Sequence, residues 1–370
     1  MKNRIIVAAA SLLAISHAAL AYTTPATGRP LPAGLAQSQP QIKTPAPDMT
    51  GWVAVTAGGA ISAPEILATN SPALIVQGAD KSFYMAPVDL LSPKPIDNQS
   101  WRVFEYNGLA IRCVALWPER ASCIKEEHDG LITGFDLPDG YATSGVNKVI
   151  DAFSFGGKQT SMPAFVNFTR YQGSTTFAWG YMVWDGKSGV LATRVSKSLD
   201  MDANDKIKTG QPKPEDWRIR TATAHTPLAD CVPAPYFGNL YQTTGYCVLS
   251  DPATGKLSVV QSSDWDLTLQ PMADLPALPG GSGAAQGEVA IAYVDRDLYA
   301  FARGANGALY MSHMPESGTF GAWQGLGGNI KAGSIPSCDN YKDGITCAIR
   351  GPDNRIYLKR VVQSNPGSGL

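Results

Sequence analysis

From residue 52 onward the chain is written in short runs whose apolar side chains recur at every second position, broken by glycine and proline. Leu74 with Val76, and Tyr299 with Phe301, show that period locally. A period of two puts alternate side chains on opposite faces of an extended strand. The i, i+3, i+4 stripes of a helical solenoid are missing, so the pattern predicts many short strands joined by tight turns. Self-similarity reinforces it. A turn flanked by apolar residues appears at Gly78-Ala79-Asp80-Lys81, His128-Asp129-Gly130, Asp185-Gly186-Lys187, Asp251 to Gly255, Gly304 to Gly307 and Gly351 to Asn354. Gly, Asn and Asp tolerate the positive φ that a two-residue hairpin demands, so six hairpins of one kind are expected.

Upstream of five of these turns stands a tryptophan: Trp52, Trp101, Trp217, Trp265 and Trp323. The third repeat has Ala152 in that place but keeps Phe155-Gly156-Gly157 and Pro163. Successive openings are 49, 51, 65, 48 and 58 residues apart, which suits four short strands per unit. The expected fold is all-β, a six-bladed propeller of four-stranded antiparallel blades over residues 51–362, although the spacing also admits seven blades. Two β-sandwich domains are the rival, and they leave six matching turns unexplained.

The ends read differently. Residues 1–21 carry Lys2 and Arg4, an apolar stretch from Ile5 to about Ile15, and Ala19-Leu20-Ala21, the three parts of an export signal. Residues 22–50 hold six prolines and little apolar surface, and are expected to form an extended linker. Residues 363–370 are expected to be a flexible tail. No later stretch is long and apolar enough for a transmembrane segment, so a secreted or periplasmic protein is expected. A net charge of −1 without a basic run argues against nucleic acid.

Six cysteines follow the signal. Cys113 with Cys123, Cys231 with Cys247, and Cys338 with Cys347 fall in alternate repeats, each pair bracketing one predicted turn. Fifteen connectivities exist in principle, but the repeat favours these three local disulfides. Each closes a short loop and contributes roughly 2–3 kcal/mol on a chain-entropy estimate. Zinc is the rival reading; no CxxC and no clustered His support it, and no metal or other cofactor is expected.

Leu298 to Tyr310, followed by Phe320-Gly-Ala-Trp-Gln-Gly-Leu-Gly-Gly328, resembles the repeat of PLL-type bacterial β-propeller lectins. It is also similar to the wider fucose-specific and tectonin-like propellers. Ala73 to Asp80 is a weaker copy. The resemblance implies sugar sites between neighbouring blades, typically built from an Arg, a Glu and an aromatic residue. Arg303 and Arg350 stand in comparable places before the turn, while other repeats offer Gln77 or Glu127, and the following Glu is missing from repeats five and six.

Sugar recognition wants an aromatic face beside planar donors and acceptors. Candidate ligand-binding residues are therefore Trp52, Trp101, Trp217, Trp265, Trp323, Arg303 and Arg350, with glycans or glycoconjugates as partners. Each Trp has an equally ready use as a wedge between blades, and each Arg as a cap on backbone carbonyls. A protein-binding scaffold or adhesin, with a surface protein as partner, is the alternative. A glycan hydrolase or lyase is the third reading, but no catalytic residue can be assigned. His128, His225 and His313 occupy non-equivalent repeat positions, and GxSxG, HExxH, P-loop and Asp-box motifs are all absent.

Overall fold

The structure, a computed structural model, describes residues 51–105, 108–117, 120–127, 131–138, 152–158, 164–166, 176–185, 190–201, 207–208, 217–220, 228–233, 245–250, 254–262, 270–279, 289–316, 318–327, 331–342 and 344–363. The expected signal and linker fall outside these residues, as does the expected tail beyond Gln363, which ends the last strand.

Six antiparallel sheets form in chain order. Blade one is β2 (Glu65–Leu67), β3 (Ala73–Gln77), β4 (Phe83–Pro87) and β5 (Arg102–Glu105). Blade two is β6 (Gly108–Trp117), β7 (Arg120–Glu127), β8 (Leu131–Pro138) and β9 (Ala152–Lys158). Blade three holds β10 (Ala164–Val166), β11 (Thr176–Asp185), β12 (Val190–Met201), β13 (Ile207–Lys208) and β14 (Trp217–Arg220). Blade four is β15 (Leu228–Pro233), β16 (Gly245–Ser250), β17 (Leu257–Ser262) and β18 (Gln270–Asp274). Blade five is β19 (Val289–Val294), β20 (Asp297–Arg303), β21 (Leu309–Met314) and β22 (Gln324–Gly325). Blade six joins β23 (Ser337–Asn340), β24 (Gly344–Arg350) and β25 (Ile356–Gln363) to β1 (Val53–Ala54) from the other end of the chain.

The first strand of each sheet contacts the first strand of the next, and β23 contacts β2, so the sheets close into a six-bladed propeller. Blade three departs from the expected four strands. Its third strand, β12, is long enough for β13 and β14 to pair with different parts of it. That is where the 65-residue spacing goes.

Cores lie between sheets rather than within them. Leu74, Val76 and Tyr84 of blade one pack with Ala348, Ile356 and Leu358 of blade six. Ala290 and Phe301 of blade five pack with Ile345 and Ile349 of blade six. A two-faced sheet buries both sides only by stacking against neighbours, and this selects the ring.

The three disulfides form as expected, each between facing residues of a blade's first and second strands, with Cα atoms 4.0–4.1 Å apart. Among the described residues no helix is long and apolar enough to cross a membrane. The disulfides fit an oxidising, non-cytoplasmic compartment.

The hairpin turns need a correction. At 78–82, 304–308 and 351–355 the loop is not the two-residue type. Lys81, Gly307 and Asn354 donate to the carbonyls of Gly78, Gly304 and Gly351 and take φ of 65°, 78° and 59°. This is a type I turn followed by a left-handed residue, the three-residue hairpin. Its Asp or Asn side chain accepts the N–H two residues on, which anchors the turn locally. The glycine opening each turn is required by contact. A Cβ there would sit 2.7, 2.9 or 2.6 Å from the ring of Tyr84, Tyr310 or Tyr357. A two-residue turn does occur elsewhere: Asp295 and Arg296, both at positive φ, join β19 to β20.

Candidate functional site

Trp52, Trp101 and Trp323 each precede the outermost strand of a blade and turn inward. Trp52, Trp101 and Trp323 are all buried, in three different interfaces between blades. Trp323 Nε1 donates to the Pro276 carbonyl at 2.7 Å, tying blade five to the segment leaving blade four. The three indoles are thus spread around the ring and sealed from solvent. Trp217 opens β14, and Trp265 lies outside the described residues.

The two arginines are brought together. Arg303 ends β20 and Arg350 ends β24, and both reach the strap between β22 and β23. Arg303 Nε donates to the Ala332 carbonyl at 2.6 Å, and Arg350 Nη2 to the adjacent Gly333 carbonyl at 2.7 Å. Arg350 Nη1 also holds Asn354 Oδ1 at 2.7 Å, while its Nε is buried without a partner. Burial, and then the Arg303 charge, pull the Arg350 guanidinium below its usual range. Trp52 and Ala332 share the core immediately behind this strap. Two guanidiniums thus bond adjacent carbonyls of the segment joining blades five and six, in front of the core that holds Trp52.

A second polar assembly was not foreseen from sequence. Inner strands around the axis carry Glu65, Arg112, Asp230 and Ser337 at one register. Glu65 Oε1 accepts the Cys113 N–H of the next blade at 2.9 Å, Asp230 Oδ2 accepts Ile291 N–H at 3.0 Å, and Ser337 Oγ accepts Ile66 N–H at 3.1 Å. Two residues further, Asp339 accepts the N–H of Ala68. Each clip satisfies an edge N–H that a propeller's inner strand leaves unpaired. Arg112 Nη1 reaches across to Asp230 Oδ1 at 3.5 Å, and the two side chains stay 23% and 26% exposed.

Burial dominates the carboxyls' electrostatics. It pushes Glu65 up to about 8, against the Cys113 hydrogen bond and the Arg112 charge. It pushes Asp339 up to about 7 and raises Asp230 as well. The signal for this ring was present in the register: Arg112 and Asp230 each directly precede the first cysteine of a pair, in strands otherwise apolar. Among the described residues no group of His, Cys, Asp and Glu is placed to hold a metal.

No protein-family model matches the chain, and no curated protein matches it in sequence. Solved structures match in fold. A triple-arginine-substituted AofleA from Arthrobotrys oligospora aligns with TM-score 0.54 and 11% identity, over 83% of this chain and 88% of that one. The six-bladed fungal lectin of Aleuria aurantia, described for its fucose recognition, gives 0.50 and 10%, over 85% and 98%. The Penicillium chrysogenum α-L-arabinanase bound to arabinobiose gives 0.50 and 8%, over 82% and 93%. At these identities the likeness is one of fold.

Proposed function

We propose that this chain is an exported, non-catalytic carbohydrate-binding propeller whose ligand sits in the groove between blades five and six. The carrying observation is the convergence of Arg303 and Arg350 on one strap, where Arg350 has no carboxylate partner among the described residues. Two guanidiniums held side by side favour an anionic group, and their planar forks match a carboxylate or sulfate. A glycan bearing such a group supplies the charge and an apolar sugar face together. The six-bladed lectin similar in fold, described for its fucose recognition, supports the carbohydrate part of this reading. Trp52, buried behind the strap, shapes the wall rather than touching the sugar.

A glycan array of the purified chain tests it. Uronate-containing or sulfated glycans should bind, and the Arg303→Ala/Arg350→Ala double variant should lose about tenfold or more in affinity. Acidic-glycan binding that is indifferent to both arginines would end this reading.

A hydrolase reading has one observation in its favour, the raised Glu65 and Asp339 carboxyls at the axis. Both are engaged in clipping blades together, which favours a structural task. Release of reducing sugar from a polysaccharide, lost in Glu65→Gln, would restore the enzyme reading.

A further inference from the structure

Arg303 ends β20; the opposite end of that strand, six residues and roughly 20 Å away, carries different chemistry. Tyr299 and His313 face one another on β20 and β21, and their rings stack with centroids 4.6 Å apart at 19°. Asp297 fixes the imidazole: its Oδ2 lies 2.7 Å from His313 Nε2, while its Oδ1 accepts the Glu316 N–H at 3.1 Å. An ionised carboxylate only accepts, so Nε2 carries the proton in this pair. In the neutral ring Nδ1 then keeps a lone pair, and it has no partner among the described residues. The imidazole side chain is 40% exposed.

A second stacked pair lies on the opposite face of the same blade, toward blade four. Tyr246 of blade four lies 5.7 Å from Tyr293 of blade five at 12°. Glu316 acts on the hydroxyls of both, and Asp297 on those of Tyr293 and Tyr299, beyond the larger effect of burial. Tyr293 is buried in the core shared with blade four, so of the two pairs it is Tyr299 and His313 that meet solvent, on the rim of blade five facing blade six. The acids Asp295, Asp297 and Glu316 outnumber Arg296 there.

We propose that this rim, centred on Tyr299 and His313, is a second ligand-binding surface that takes an uncharged pyranose ring. Flat aromatic faces suit the C–H surface of a sugar, and a fixed imidazole nitrogen accepts one hydroxyl. The surrounding carboxylates repel uronates and sulfates, so this surface and the arginine groove divide glycans by charge. Asp297 and His313 are read as a binding pair, because among the described residues no nucleophile is bonded to the imidazole. The inference rests on the carbohydrate reading of the chain, but on other residues and on the opposite ligand charge.

The test is an array of neutral galactosides, mannosides, glucosides and fucosides printed beside their uronate and sulfated counterparts. Wild-type protein should bind a neutral set, and Tyr299→Ala and His313→Ala should each weaken that binding about tenfold. His313→Gln, which keeps a planar acceptor, should recover most of it, and melting curves should show all variants folded. The Arg303→Ala/Arg350→Ala protein should keep neutral binding and lose acidic binding. Neutral glycans left unbound by wild type, or bound equally by Tyr299→Ala and His313→Ala, overturn the rim site. Acidic binding that survives the arginine variant overturns the groove instead and leaves the rim standing.

Discussion

The interface between blades one and two and the interface between blades five and six share one plan and end in opposite states. In the first, Gln77 stands just before the hairpin turn and donates to the Gly108 carbonyl of the next blade at 2.7 Å, fully buried. In the second, Arg303 takes the same place and makes the same kind of reach to Ala332, but stays partly exposed. Lys125 and Glu105 cross the first interface at 2.8 Å with side chains only 4% and 15% exposed. Near the axis Glu65 clips blade one to blade two, whereas blade five offers Ala290 at that register. The first seam is thus closed along its length. The second leaves two cations at its mouth. Identical backbone geometry makes a joint or a groove according to which side chain precedes the turn.

Removing the buried carboxylate should have the largest effect. Glu105→Ala removes the carboxylate from the buried Lys125 ammonium and should cost about 3 kcal/mol, read from denaturant unfolding. An unchanged midpoint would mean that the first seam is not closed by this pair. The turn common to both seams gives the next effect. Gly78→Ala and Gly304→Ala drive a methyl into a tyrosine ring and should each cost roughly 1–3 kcal/mol. Equal losses confirm the shared plan, and a loss at one turn alone breaks it.

A third expected effect is a pH dependence centred on the axis. Glu65 is raised from 4.5 to about 8 and Asp339 from 3.8 to about 7. A raised folded value means that folding favours the protonated form. The contribution is complete below the unfolded value and is lost as pH climbs through the folded one. Melting temperature should therefore decline between about pH 5 and pH 8.5, and Glu65→Gln, which still accepts the Cys113 N–H, should flatten that decline. A slope unaltered by the substitution would move the titration elsewhere.

The blade pattern was legible because local chemistry imposes it. The turn at 351–354 needs a glycine under Tyr357 and a left-handed residue at Asn354, and those demands are written in consecutive letters. The cysteine pairs were legible for the same reason, since each joins neighbouring strands. The axial ring was not read, although Arg112 and Asp230 stand out in apolar strands, because the meeting of Glu65 with Cys113 depends on how blade one packs against blade two. Nor was the rim. Tyr299 and His313 meet only through the register of β20 against β21, and His313 has no counterpart in other repeats. The tryptophans were read as either wall or platform. Trp52, Trp101 and Trp323 pack as wall, since an indole ahead of an outer strand is covered by the neighbouring blade.

The ring is fastened by a short seam: β1 meets β25 at Val53 with Leu358 and Ala54 with Tyr357, and the Val55 N–H extends it to the Ile356 carbonyl. Both ends of the described chain therefore leave from one blade. Tension applied through those ends falls first on two residue pairs, and it peels them in sequence because antiparallel neighbours run side by side. The propeller is armoured against heat by its stacked blades and exposed to pulling at a single stitch.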